Sequence, residues 1–180
     1  MNNKLSVFIS LVLRHKPEAA NIKLDERGYA NVDELIKGMN SVKRKIDFEM
    51  LDEIVKNDNK SRYSFNEDKT KIRANQGHSI DVDVELEECI PPSVLYHGTA
   101  TRFVDSIMSK GIIRGNRLYV HLSKEIDTAS KVGTRHGELA LLQVDSDKMY
   151  REGYKFYISK NNVWLTDFVP VEYVSKMEEV

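Results

Sequence analysis

Only one cysteine, Cys89, occurs in the 180 residues, so neither an intrachain disulfide nor a cysteine-based zinc knot is available to the fold. The lone thiol fits a reducing, cytoplasmic setting. No apolar run approaches the roughly 20 residues that a membrane span requires. The first run, Leu5 to Leu13, is broken by Ser6 and Ser10 and is followed by no small-residue cleavage site, so it reads as a first helix and not as a secretion signal. A strong net charge is also missing. The value is -1, which excludes wrapping a long nucleic-acid duplex by charge alone. Residues 1–80 nevertheless carry 15 Lys and Arg against 12 Asp and Glu, whereas residues 81–100 carry five acids and no base. A small site gripping one or two phosphates is compatible with that distribution.

Several common chemistries are absent as well. No G-x-G-x-x-G follows a first strand, and GTRHGE at 133–138 has the wrong form for a Rossmann nucleotide site. The five histidines show no short metal spacing and no HExxH, so no metal is expected. No convincing carboxylate pair points to glycoside hydrolysis, and no internal repeat or low-complexity tract is present.

What is there is the composition of a folded protein, 41% hydrophobic and 31% charged, at a length that holds one domain or two small lobes. Leu5, Phe8, Ile9 and Val12 recur at helical spacing, with Pro17 as the brake. Asn31-Val32-Asp33-Glu34 has the form of a capping box opening a second helix, and Asp47 caps a third through Met50, Leu51, Ile54 and Val55. Then the period changes to two. Tyr63 and Phe65 alternate with polar neighbours, and Asn66–Lys69 leads into Lys71-Ile72-Arg73, which predicts a hairpin. Three helices and a hairpin have a winged-helix layout. The acidic DVDVELEE and the pair Pro91-Pro92 mark a hinge. Beyond it SVLYH, RLYVHLS, ELALLQVD, YKFYIS, NVWL and VEYVS read as strands, with one or two short helices among them. The expected architecture is α+β, with residues 1–90 as an N-terminal winged-helix-like lobe and residues 91–180 as a mostly-β C-terminal lobe.

The polar residues that need a reason begin with Arg14 and His15. Basic groups at a helix end are favoured by the helix dipole alone. They also offer a guanidinium fork and a titratable donor to a phosphate. Arg62 and Arg73 lie on opposite arms of the hairpin, where alternation sends each away from Tyr63, Phe65 and Ile72. The stretch RANQGHS packs Arg73, Asn75, Gln76, His78 and Ser79 around Gly77, a dense donor set with one flexible backbone point. In YHGT, His97 follows an apolar strand and precedes Gly98, which lets a ligand approach the backbone, and Thr99. In YVHLS, Tyr119, His121 and Ser123 share one strand face, with Val120 and Leu122 on the other. This inventory of Arg, His, Ser and Thr suits holding phosphates and stabilising a leaving group's charge.

LRHKP, SRY, RANQGHS, YHGT, RLYVHLS, VGTRHGE, VDSDKM, GYKFYIS and NNVWLTDFVP occur in an order that resembles the KptA/Tpt1 family of RNA 2'-phosphotransferases, from about residue 5 to residue 175. The resemblance implies an RNA-binding winged-helix-like lobe and an NAD-binding lobe related to ADP-ribosyltransferases. It implies NAD-dependent transfer of an internal RNA 2'-phosphate to ADP-ribose through an ADP-ribosylated 2'-phosphate, as in tRNA splicing. The products are 2'-hydroxyl RNA, nicotinamide and ADP-ribose 1'',2''-cyclic phosphate. By motif and order it assigns catalysis to Arg14, His15, Arg62 and Arg117, the first three holding the 2'-phosphate and Arg117 supporting charge on the NAD side or in the transesterification. It assigns NAD contacts to His97, Gly98, Thr99, Ser123 and Arg135, and RNA contacts to Arg73, Asn75, Gln76, Gly77, His78 and Ser79. Trp164 is expected in the core. Tyr119 and Asn162 depart from the family's H-V-H-L-S and N-G-V-W forms, which puts adenine contact by residue 119 in doubt.

Two other readings share these features. One is ADP-ribosylation of other phosphorylated nucleic-acid ends. The other is a non-enzymatic winged-helix nucleic-acid binder, which leaves the second lobe without a purpose. The expected partner is 2'-phosphorylated RNA, tRNA-like or other, with no membrane, no obligate protein partner and a size that permits a monomer.

Overall fold

A computed structural model describes residues 3–177. The chain falls into two compact units, Met1–Glu85 and Leu86–Val180, divided inside the acidic DVDVELEE segment.

The N-terminal unit opens with helix α1, Asn3–Arg14, which buries Leu5, Ile9, Val12 and Leu13. Pro17 then starts a short 3-10 turn, Pro17–Ala20, at the position where its missing N–H costs nothing. Strand β1, Tyr29–Asn31, leads into α2, Val32–Ser41, whose cap is Asn31: its side chain accepts from the Glu34 amide at 3.0 Å. Helix α3, Phe48–Lys56, is capped by Asp47, which accepts from the Met50 amide at 2.8 Å. Strands β2, Tyr63–Phe65, and β3, Lys71–Ala74, form the hairpin.

The hairpin carries a third strand. Strand β1 pairs antiparallel with β3, so the sheet order is β1-β3-β2 and β3 is central. At three residues, β1 is too short for alternation to betray it. The consequence falls on Arg73, which sits opposite Tyr29 in the register and is buried, not solvated. Leu13, Leu35, Met39, Leu51 and Ile72 form the fully buried core; deleting one such side chain to Ala costs about 2–5 kcal/mol.

In the C-terminal unit, β4 (Glu87–Glu88) and β5 (Val94–Ala100) precede α4 (Val104–Lys110), β6 (Ile112–Ile113) and β7 (Val120–Leu122). Helix α5 (Ile126–Gly133), β8 (Leu139–Asp145) and α6 (Ser146–Arg151) follow. The unit closes with β9 (Tyr157–Ile158), β10 (Trp164–Thr166), β11 (Phe168–Val169) and β12 (Val174–Lys176). One sheet has the order β4-β9-β10-β7, another β12-β8-β5, and β11 pairs with β6. The long β5–β8 ladder runs from Val94 opposite Asp145 to Ala100 opposite Leu139, and a bridge between Tyr96 and Ser123 ties β5 to the end of β7. Leu95, Leu122, Leu142, Met149, Phe156 and Trp164 lie in the core.

Among the described residues three α-helices occupy this unit where one or two were expected. Helix α6 is six residues started by Asp145, whose carboxylate accepts from the Lys148 amide at 3.0 Å; α5 is eight residues ending on a glycine. Both are too short for a helical period to stand out from the flanking strands. The architecture is α+β, a mainly helical N-terminal unit and a sheet-rich C-terminal one. Among the described residues no helix is long and apolar enough to cross a membrane, and no group of three or more His, Cys, Asp or Glu is arranged to hold a metal ion.

Candidate functional site

Helix α1 delivers Arg14 and His15 to the RANQGHS segment. The His15 amide still donates to the Leu11 carbonyl at 3.0 Å, so its position is set by the helix. The Ser79 amide donates to the Arg14 carbonyl at 3.0 Å, and Ser79 Oγ lies 2.8 Å from His15 Nδ1. That bond holds the orientation of the ring. Gly77 has φ +86, a conformation that favours glycine. A Cβ added there would lie 3.7 Å from the Arg14 guanidinium, so the side-chain-free backbone forms the surface on which that fork rests. His78 is 1% exposed and therefore turned inward; burial first, then the charges of Arg14, His15 and Arg73, pull its pKa down to about 4. It is neutral at pH 7. Gln76 is half-buried in the same segment.

Arg62 stands at the start of β2, with its guanidinium paired to Asp58. The other oxygen of that carboxylate accepts from the Arg62 amide at 2.5 Å. The Arg62 carbonyl accepts from the Asn75 amide at 2.8 Å. Asn75 is itself buried, donating to the Ser61 carbonyl at 2.7 Å and accepting from Ser64 Oγ at 2.5 Å. Arg73 is engaged inside the unit: it pairs with Glu85 at 3.1 Å and lies 4.6 Å from the Tyr29 ring centre. Within RANQGHS the structure therefore brings Gly77 and Ser79 to Arg14 and His15, while Arg73, Asn75 and His78 face inward.

In the C-terminal unit, His97 Nδ1 meets the His121 carbonyl at 3.1 Å. Burial lowers its pKa, with Arg117 and His136 adding to the effect and the carbonyl opposing it. Arg117 is exposed on the turn before β7, where its amide donates to the Arg114 carbonyl at 3.2 Å. Ser123 is held by two backbone bonds to Tyr96, at 2.8 and 2.9 Å. Thr99 is 6% exposed, and Arg135 sits exposed in a 3-10 turn, Thr134–His136. Along β7, Val120 and Leu122 are buried while Tyr119, His121 and Ser123 are half-buried, the alternation expected of a strand with one core face. The Tyr119 ring packs against Tyr157 at 5.6 Å between centres.

Gly98 has a different reason from ligand approach. A Cβ there would lie 1.8 Å from the Ala129 carbonyl oxygen, and one on Gly133 would lie 2.9 Å from the Thr99 amide. The backbone that comes close to Gly98 is that of α5, packed on β5 through two glycines. Asp58, too, was not among the sequence candidates. Its signal was the turn-forming NDNKS before β2, which does not tell a turn aspartate from a buried partner of arginine.

The model of the family described as RNA 2'-phosphotransferase, Tpt1 / KptA family, matches residues 1–168. The chain belongs to that family. It is 56% identical over 172 residues to a protein of Fusobacterium nucleatum subsp. nucleatum, covering 95% of this chain and 96% of that one. It is 52% identical over 170 residues to one of Flavobacterium johnsoniae, covering 94% and 93%, and 46% identical over 173 residues to one of Pseudomonas fluorescens, covering 96% and 95%. Each of these relatives is named "Probable RNA 2'-phosphotransferase".

The Tpt1/KptA family is NAD-dependent, and the donors of the C-terminal unit fit such a molecule chemically. Arg135 is exposed and carries a guanidinium suited to a pyrophosphate, burial lowers the pKa of Arg117, and Ser123 is a half-buried hydroxyl residue. His97 is half-buried, and its lowered pKa favours the uncharged imidazole, which adds no charge beside a cationic nicotinamide ring.

Proposed function

We propose that the chain removes an internal 2'-phosphate from RNA by transferring it to the ADP-ribose of NAD+, the activity of its family. The observation that carries this reading is the Arg14–His15–Gly77–Ser79 cluster: a helix-borne guanidinium laid on a bare glycine backbone, beside an imidazole fixed by a serine. Such an arrangement suits a phosphate dianion, with the guanidinium forking onto two oxygens and His15 donating to a third.

NAD+ is a co-substrate that supplies an electrophilic ribose carbon, a nicotinamide leaving group and the neighbouring ribose hydroxyl. In the first step a 2'-phosphate oxygen forms the bond to that carbon as the bond to nicotinamide breaks. The phosphate is already an anion, so no strong base is required; Arg14, His15 and Arg62 hold it at the attacking angle. In the second step the ribose hydroxyl attacks phosphorus and the RNA 2'-oxygen leaves, taking a proton to become a hydroxyl. Here the guanidinium groups of Arg14 and Arg62 balance charge moving among the phosphorus oxygens, and Arg117 is the arginine that the family resemblance assigns to charge on the NAD side. His15 is placed to move the proton. The products are RNA with a 2'-hydroxyl, nicotinamide and ADP-ribose 1'',2''-cyclic phosphate.

His97, Thr99, Ser123 and Arg135 are the residues that would hold the dinucleotide, with Gly98 acting through the packing of α5. Gln76 and Ser79 are the residues of RANQGHS that would contact RNA, while Arg73, Asn75 and His78 support them from within. The test is product analysis after mixing the protein, NAD+ and an oligonucleotide with one internal 2'-phosphate. Free nicotinamide, dephosphorylated RNA and the cyclic phosphate are expected in equal amounts. Release of nicotinamide no faster than from NAD+ alone would overturn the reading.

A further inference from the structure

The neighbourhood of Arg62 is more heavily built than a strand start requires. Asp58 is 8% exposed and its side chain only 4%, a burial that a carboxylate tolerates only when fully matched. Both of its oxygens are used on one stretch of chain. One takes the Arg62 guanidinium and lies 3.3 Å from the Lys60 amide; the other takes the Arg62 amide at 2.5 Å. Ser61, immediately before, has φ +43, which a non-glycine residue adopts at a cost of about 1 kcal/mol. On the far side, Asn75 holds the Arg62 carbonyl through its amide, the Ser61 carbonyl through its side-chain amide and Ser64 through its side-chain oxygen. Arg62 is thus fixed at its amide, its carbonyl and its guanidinium by two buried polar residues.

From this geometry we infer that Asp58 and Asn75 are positioning residues for phosphate recognition, clamping Arg62 so that one edge of its guanidinium is occupied and another edge is presented. A planar guanidinium carries five N–H donors. With Nη1 held by Asp58, the remaining donors point in a direction fixed by the clamp. The Arg62 side chain is 32% exposed, so part of it reaches solvent. The occupant of the presented edge is a phosphomonoester dianion, a charge large enough to bind beside a carboxylate that already neutralises part of the arginine. The pairing also favours arginine over lysine: an ammonium group has no second planar edge to offer once it is bound to Asp58. This inference rests on the proposed reading of Arg62 as a ligand of the RNA 2'-phosphate.

The test measures binding without NAD+, using a short RNA bearing one internal 2'-phosphate and the same RNA without it. The parent protein is expected to prefer the phosphorylated RNA. Failure to do so overturns the functional reading and the clamp with it. If the preference exists, Asp58→Asn is the informative variant. Its side-chain oxygen can keep the bond to the Arg62 amide, and with it the turn, while its NH2 group faces the guanidinium. The preference should fall roughly tenfold, the size expected when a recognising group loses its orientation, while affinity for the unphosphorylated RNA stays near the parent's at a temperature where thermal unfolding shows the variant still folded. Asn75→Ala should lower the same preference. In an Arg62→Ala background, Asp58→Asn should change the preference no further, because its only route to the phosphate is gone. An undiminished preference in Asp58→Asn, or an equal further loss in the Arg62→Ala background, would overturn the clamp and leave the functional reading standing.

Discussion

The candidate residues of the two units are held in different ways. In the N-terminal unit, side chains hold side chains: Ser79 fixes His15, Asp58 fixes Arg62, and Glu85 fixes Arg73. In the C-terminal unit, backbone does most of the work. His97 is oriented by the His121 carbonyl, Ser123 by two main-chain bonds, and Arg117 and Arg135 stand exposed on turns without an ion pair to any described residue. A phosphate dianion is small, so its donors must be fixed to within a fraction of an ångström. A dinucleotide is long, and its contacts can be spread over a scaffold of strands. The difference teaches that side-chain pairing supplies precision while the sheet supplies reach.

The sharpest way to break this contrast is to remove the three arginines. Arg14→Ala, Arg62→Ala and Arg117→Ala should each lower phosphate removal by about 10²- to 10³-fold while circular dichroism stays unchanged. Only the first two should also weaken binding of 2'-phosphorylated RNA. Near-parent turnover in all three removes the assignment.

Acid stability comes next. His78 has a folded pKa of about 4 against an ordinary 6.5, so the unfolded chain takes up a proton first. The contribution of this one group is therefore fully present at pH 7, declines as pH falls below 6.5 and is gone below about 4, a loss of up to about 3 kcal/mol. His97, also lowered, adds acid sensitivity of the same sign to the C-terminal unit. Denaturant unfolding at pH 7, 5 and 4 measures this, and His78→Gln should flatten the profile. An unchanged slope in that variant shows that the N-terminal unit does not bury a neutral imidazole.

Glycines sharpen the comparison further. Gly98→Ala forces a methyl onto the Ala129 carbonyl, which is main chain and can yield only by moving α5; a loss of about 1–3 kcal/mol is expected in the unfolding midpoint. Gly77→Ala meets the Arg14 guanidinium only at ordinary contact distance, so its cost comes from φ alone, about 1 kcal/mol, with RNA binding affected beyond stability. Smallest of all, Ser79→Ala should slow turnover about fivefold, the worth of one hydrogen bond orienting His15. No change in rate there would show that α1 alone fixes the ring.

Much of this was legible from residues close in sequence. Asn31 and Asp47 cap α2 and α3 as their spacing predicts, Pro17 follows α1, and β7 buries Val120 and Leu122 while Tyr119, His121 and Ser123 lie on the other face. Family membership, too, follows from motif order. What escaped depended on partners far away. Arg73 read as an RNA contact turned away from the hairpin's apolar residues because nothing in its own strand reveals Tyr29 and Glu85, 44 and 12 positions distant by number. Gly98 read as a ligand approach because a glycine's vacancy does not say what fills it.

From the sequence alone come the helix caps, the strand faces, the α+β class and the family to which the chain belongs, since each rests on local periodicity or on ordered motifs. Only the tertiary structure decided that Arg73 and His78 are buried, that Asp58 holds Arg62, and that Gly98 admits a helix. Burial and ion pairing are set by which distant segments pack together, and a linear pattern carries that information only through the fold it specifies.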